Sequence, residues 1–151
     1  MYKRQVVSLI NAGFEPVIVD DFSNSEPWIL ENLTELTGKT IKHYNINCVE
    51  KSLNEIFINE NLHGVIHFAA FKAVGESVEK PLKYYQNNIN SLLCLIELMD
   101  KHGVENLVFS SSCTVYGEAD YLPVSEDHPM KKAESPYGYT CLLYTSPSPR
   151  D

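Results

Sequence analysis

From residue 6 onward the chain alternates stretches of helical apolar spacing with short continuous apolar runs. Val6, Val7, Leu9 and Ile10 read as the last turns of a helix that Asn11-Ala12-Gly13 closes. Pro16-Val17-Ile18-Val19 is a short apolar run ending in Asp20-Asp21, the pattern of a buried parallel strand. Residues 27–36 are weakly helical, residues 40–47 suit a second strand, and Leu53, Ile56, Phe57 and Leu62 return to helical spacing. Val65-Ile66-His67-Phe68-Ala69-Ala70 predicts the next buried strand, with His67 a packed strand residue rather than a base. After Lys80-Pro81 a long helical stretch carries Leu92, Leu93, Leu95, Ile96 and Leu98 on a wide apolar face. Residues 104–111 then form another buried strand centred on Leu107-Val108-Phe109.

Strands that alternate with helices require right-handed crossovers and a mostly parallel sheet. The expected fold is therefore α/β, a Rossmann-like doubly wound parallel sheet. Such a unit opens with a strand and a Gly-rich turn, whose glycines let the backbone approach a pyrophosphate at a helix N-terminus. This sequence begins inside the helix that would follow that turn. In the strand order 3-2-1-4-5 the first strand is the middle one. A sheet lacking its first strand and Gly-rich loop leaves two inner strands with unpaired backbone groups, each costing about 1–3 kcal/mol. The expectation is that the chain, by itself, holds no stable native domain.

The two ends read differently from the middle. Residues 141–151 are a Ser/Pro-rich tail that follows abruptly on ordered-looking chemistry. Met1 to Gln5 can be back-translated as GTG TAT AAG AGA CAG. The reverse complement of that string, continued in a shifted frame as TGT CTC TTA TAC ACA TCT, encodes Cys141 to Ser146. Both ends can thus be written as one inverted DNA element, which resembles a transposon-end sequencing adapter. The expected organisation is a partial NAD-binding domain over 6–140, non-native ends at 1–5 and 141–151, and an absent substrate domain.

Composition narrows the function classes. The 151 residues are 44% hydrophobic and 21% charged, which argues for a folded globular chain rather than disorder or a fibrous repeat. Twenty acidic residues against 12 basic ones give a formal charge of −8, so neither nucleic acid nor an anionic membrane is an expected partner. No apolar run approaches the ~20 residues that span a bilayer, and no cleavable leader follows the basic start, so a cytoplasmic setting is expected. Cys48, Cys94, Cys113 and Cys141 form no close pair, which favours reduced thiols and no metal site.

Two strand ends carry candidate chemistry. Asp20 closes the first apolar run, where a carboxylate can accept from a ribose diol and repel a 2′-phosphate, favouring NAD over NADP. Ser110-Ser111-Ser112 follows the last strand, at the sheet end where such folds bind ligands. Tyr137 lies 25 residues after Ser112 in Ser135-Pro136-Tyr137-Gly138-Tyr139-Thr140. In short-chain dehydrogenases a Tyr-x-x-x-Lys pair shares one helix face, and the ammonium lowers the phenol pKa enough to make it a base. Position 141 should then be lysine, and it is Cys141. A phenol near ~10 is only about one part in a thousand ionised at pH 7, so the encoded chain is expected to be inactive.

Val65 to Ser77, Tyr84-Tyr85-Gln86-Asn87-Asn88, Ser110 to Gly117 and Ser135-Pro136-Tyr137-Gly138 resemble, in the same order, the motifs of the UDP-glucose 4-epimerase family of extended short-chain dehydrogenases. The similarity covers residues 6–140. It implies NAD as cofactor, with Asp20, Asp21, Phe22, Ser23, Asn24 and Ser25 around the adenosine ribose and Asn47 and Cys48 near the adenine. Phe68, Ala69, Ala70, Lys72, Asn87, Ser112 and Tyr137 are implied on the rest of the cofactor, and Ser112 and Tyr137 as catalytic. Asn47 departs from the family's usual Asp. The intact family member would interconvert UDP-glucose and UDP-galactose through a 4-keto intermediate, in galactose metabolism, as a homodimer. Two alternatives stand beside it: another nucleotide-sugar epimerase or dehydratase, and a catalytically dead nucleotide-binding module. A dehydratase would need acid/base carboxylates after the serine motif, where Cys113-Thr114-Val115 supplies none.

Overall fold

The structure is a computed structural model that describes residues 3–145. Met1, Tyr2 and the Ser/Pro-rich run 146–151 of the expected foreign ends lie outside the described residues. The elements are α1 (Lys3–Asn11), β1 (Val17–Val19), α2 (Trp28–Thr37), β2 (Lys42–Tyr44), α3 (Leu53–Asn59) and β3 (Gly64–His67), followed by α4 (Val74–Glu79) and α5 (Pro81–Tyr84). A π-helical turn (Tyr85–Ile89) leads into α6 (Asn90–His102), β4 (Asn106–Phe109), a 3-10 turn (Cys113–Tyr116) and α7 (Pro136–Thr145).

Helices alternate with strands and every ladder is parallel, which gives the expected α/β class. The strands form two separate pairs, β1 with β2 and β3 with β4. Two apolar layers hold them. On one face Val6 and Ile10 of α1 meet Ile18 of β1 and Ile29 and Leu33 of α2. On the other, Leu53, Ile56 and Phe57 of α3 and Leu92, Leu95 and Met99 of α6 pack with Val19, Val65, Leu107 and Phe109. Gly38 ends α2 and Gly103 ends α6 in the left-handed conformation, where a Cβ would be penalised.

Four readings of the pattern are corrected. The strands were expected to be buried on both faces, yet Ile66 is 37% and Val108 59% exposed, because the described helices cover only the Val65 and Leu107 side of that pair. The run Phe68-Ala69-Ala70 leaves the strand, which ends at His67, and forms the loop beyond it. The long helix after Pro81 is interrupted at residues 85–89, and a short helix, α4, precedes it. Expected strands at 40–47 and 104–111 shorten to Lys42–Tyr44 and Asn106–Phe109.

Candidate active site

At the end of β1 the chain folds back on itself. Asp20 accepts from the Phe22 amide at 2.9 Å and from the Ser25 hydroxyl at 2.9 Å. Asp21 accepts from the Ser23 amide and hydroxyl, and from Asn47 Nδ2 at 2.7 Å. Phe22 takes φ 54°, a left-handed conformation rare for a bulky residue, held by the bond to Asp20. The result is a loop with two carboxylates at a strand's carboxyl end, flanked by exposed Asn24. Burial raises the Asp21 pKa, but the bonds from Ser23 and Asn47 outweigh it and leave the group lowered.

Asn47 ties this loop to the next strand. Its Nδ2 donates to Asp21, and its Oδ1 accepts from the Val49 amide at 3.1 Å. Cys48 lies beside it, its thiol pushed up to about 11 by burial and by the charges of Asp21 and Asp20. An open cleft of about 550 Å³ is bounded by Asn47, Val49, Lys83, Gln86, Asn87 and Asn90, so Asn47 and Asn87 face one space.

The second half of the site gathers on the loops after β3 and β4. Phe68 is half-buried, and Ala69, Ala70 and Lys72 are exposed on the β3 loop. Asn88, 5% exposed in the π turn, holds that loop: its Oδ1 accepts from the Phe71 amide and its Nδ2 donates to the Phe71 carbonyl. Asn88 Nδ2 also reaches Thr140 Oγ1 on α7 at 3.1 Å. Ser112 caps the 3-10 turn after β4, accepting from the amide and hydroxyl of Thr114. Gly138 lets α7 approach that turn, since a Cβ there would stand 3.0 Å from Ala133 Cβ and 3.4 Å from Thr114 Cβ.

Tyr137 and Ser112 are thereby neighbours, with the fully buried Tyr84 ring edge-on to Tyr137 at 6.5 Å. Burial raises the Tyr137 pKa; the Ser112 hydroxyl opposes this, and Cys141 adds to it. Cys141 lies one turn along α7, on the Tyr137 side and 5% exposed, with its own pKa raised by burial. A thiol therefore occupies the place where a cation would lower the phenol. His67 is no base: it is 5% exposed, stacked on Phe109, and burial pushes its pKa down to about 4.

The expected residues thus fall into two groups, one beyond β1 and β2 (Asp20 to Ser25, Asn47, Cys48) and one on the β3 and β4 loops and α7 (Phe68 to Lys72, Ser112, Tyr137), while Asn87 shares an open cleft with Asn47. Asn88, Thr140 and Glu76 were not singled out from the sequence. Glu76 accepts from Tyr84 and Lys83, fixing the buried tyrosine that backs Tyr137. Among the described residues no cluster of metal-ligating side chains exists.

A parallel α/β sheet with an acidic strand end and a serine/tyrosine pair at another defines a Rossmann-fold protein of the short-chain dehydrogenase class. The chain belongs to the GDP-mannose 4,6 dehydratase family, whose profile matches residues 5–144. It is 51% identical over 138 residues to the UDP-glucose 4-epimerase of Dictyostelium discoideum, covering 91% of this chain and 40% of that protein. The crystal structure of UDP-glucose 4-epimerase from Bifidobacterium longum in complex with NAD+ and UDP matches with a TM-score of 0.91 at 40% identity, over 95% of this chain and 43% of that one. That of Stenotrophomonas maltophila, with bound NAD and formylated UDP-arabinopyranose, matches with a TM-score of 0.87 at 36% identity, over 92% and 41%. The chain therefore spans about 40% of the length of the relatives it matches.

Proposed function

We propose that this chain is the cofactor-binding and proton-transfer portion of an NAD-dependent UDP-glucose 4-epimerase. The observation that carries the reading is the Ser112–Tyr137 pair, set beside the Phe68–Lys72 loop in a chain with epimerase relatives. The residues present suit NAD at two points: carboxylates at the end of β1 for a ribose diol, and hydroxyls of Ser112 and Tyr137 beyond β4. When bound, NAD supplies the acceptor and later the donor of the C4 hydride. Tyr137, once ionised, takes the proton of the sugar 4-hydroxyl, and Ser112 hydrogen-bonds the same oxygen. Return of hydride to the other face inverts C4 and returns the proton from Tyr137, so electrons and protons balance over the cycle.

The 3-10 turn Cys113–Tyr116 carries no carboxylate, which favours the epimerase over a dehydratase, whose elimination step needs added acid and base. The domain reading remains a partial NAD-binding domain over 6–140 with non-native ends, cytoplasmic in setting, without nucleic-acid or membrane partners. The described residues contain no helix long and apolar enough to cross a membrane. The intact protein is read as a homodimer; Leu93 and Ile96, 55% and 44% exposed on α6, supply an apolar face for it. The 151-residue chain itself is read as inactive, because Cys141 leaves the phenol protonated.

The intact gene product should epimerise UDP-galactose and leave dTDP-glucose and UDP-glucuronate unchanged. Tyr137→Phe in that protein should lower kcat by at least about a hundredfold, the usual weight of a positioned acid/base. Turnover of dTDP-glucose to a dehydrated product would overturn the reading. Calorimetry separates the dead-module alternative: tight NAD binding by the 151-residue chain without turnover would favour it, and no binding is expected.

A further inference from the structure

We propose that Glu76 is a positioning residue for Tyr137, acting through the hydroxyl of Tyr84. This role rests on the reading of Tyr137 as the proton-transfer group. Glu76 lies on α4 and Tyr84 ends α5, eight residues further on. In an unbroken helix that spacing would set them about 12 Å apart along the axis, too far for a hydrogen bond. The chain breaks between the two helices at Lys80, with φ −129° and ψ 60°, and the side chains meet. The Tyr84 hydroxyl donates to Glu76 Oε2 at 2.9 Å, and the Lys83 ammonium donates to Oε1 at 2.8 Å. α5 has four residues and no side-chain cap, and a single turn does not hold itself. One carboxylate therefore fixes the last two residues of α5 to α4.

What it fixes is the wall behind Tyr137. The fully buried Tyr84 ring lies 5.8 Å from the Phe71 ring and edge-on to Tyr137 at 6.5 Å. Phe71 is itself held through its backbone by Asn88, and the Lys83 ammonium sits 4.4 Å over its ring. A buried phenol has one polar atom, so a bond at that atom sets the tilt of the whole ring. In a close-packed interior a tilted Tyr84 would displace Tyr137. Proton transfer needs the Tyr137 oxygen within hydrogen-bond reach of the substrate hydroxyl, so the rate depends on that placement.

Glu76 also keeps the two phenols distinct. The bonds from Lys83 and Tyr84 hold its own pKa down to about 2, so it is a carboxylate throughout the neutral range. Burial raises the Tyr84 pKa, and the bond to Glu76 and its charge raise it further. Tyr84 thus stays protonated and sets no second negative charge against a Tyr137 phenolate.

The test uses the intact, NAD-loaded gene product. Tyr84→Phe keeps the buried ring and loses only the hydroxyl. It is expected to lower kcat for UDP-galactose on the order of tenfold, with KM and bound NAD unchanged. Glu76→Ala should lose a similar factor, and the double variant no more than either alone, since both break one bond. Glu76→Gln retains an acceptor for the Tyr84 hydroxyl and should recover most of the loss. Lys80→Ala, which removes an exposed contact of 3.5 Å, should stay within about twofold of the parent. Independently of turnover, Glu76→Gln should bring the Tyr84 titration down in NMR of ring-labelled tyrosine. Unchanged kcat in Tyr84→Phe would overturn the proposal, as would a loss confined to KM or bound NAD, multiplied losses in the double variant, no rescue by glutamine, or an unmoved Tyr84 titration. Full kcat in Tyr137→Phe would instead sink the reading of Tyr137; an inactive Tyr137→Phe beside an unimpaired Tyr84→Phe would sink the Glu76 role alone.

Discussion

Cys141 bears directly on how readily the Tyr137 phenol ionises. Burial already raises the phenol pKa, and the thiol one turn away adds to that rise. A lysine on the same helix face would put a cation at 4–6 Å, which favours the phenolate. Cys141→Lys should therefore bring the Tyr137 titration below that of the unsubstituted chain, with about a tenfold or greater gain in phenolate at fixed pH. NMR titration of ring-labelled tyrosine would show it, and Cys141→Ala should move the phenol less. An unshifted phenol in the lysine variant would refute the shared-face argument. A second residue sets a pH limit on stability. His67 titrates near about 4 in the folded chain and near ~6.5 when unfolded. Its folded pKa is depressed, so the unfolded chain binds the proton first as pH falls. Stability is full above ~6.5, falls through the window down to about 4, and is flat below it, a loss of about 3 kcal/mol. His67→Phe keeps the stack on Phe109 and should flatten that window in urea unfolding. The packed role of His67 was legible because apolar residues flank it in a strand run. The state of Tyr137 was legible only in part: spacing named its partner position, but its burial depends on Tyr84 and α7, far apart in the sequence.

Among the elements, the π turn at Tyr85–Ile89 departs most from the pattern, and it carries Asn88, which joins the β3 loop to α7. Periodicity reads 81–102 as one helix because the apolar spacing survives the interruption. The turn places Asn88 inward, with partners on the β3 loop and on α7. Replacing it with leucine would leave the Phe71 amide, the Phe71 carbonyl and the Thr140 hydroxyl without this partner, at about 1–3 kcal/mol for each group left buried and unpaired. Asn88→Leu is expected to lose at least about 2 kcal/mol and to speed exchange of the Phe71 amide. Asn87→Ala, at a half-buried position, should change stability by less than about 1 kcal/mol. Equal losses in the two variants would deny Asn88 its clamping role. Strands and most helices were legible because β-branched runs and helical spacing are local signals. α4 was not, since its six residues carry no side-chain cap and too few turns to show a period.

For the whole molecule, the decisive feature is that the described residues cover the β3–β4 pair on one side only. Ile66 and Val108 are register partners that point to the same open face, while Val65 and Leu107 point to the helical layer. Composition shows the chain to be apolar enough for a core but cannot show that part of the core faces water. Exposed, adjacent β-branched side chains on a strand pair drive association, because each contact removes about 25 cal/mol for every Å² of apolar surface taken from water. The chain should therefore self-associate at micromolar concentration. Val108→Lys should suppress that association while changing stability by no more than about 0.5 kcal/mol, since the side chain is 59% exposed. Leu107→Lys, one residue away, enters the α3–α6 cluster and should abolish folding instead. Light scattering and urea unfolding on the two variants separate the open face from the covered one. Persistent association of the Val108→Lys protein would place the sticky surface elsewhere, on the exposed α6 face of Leu93 and Ile96.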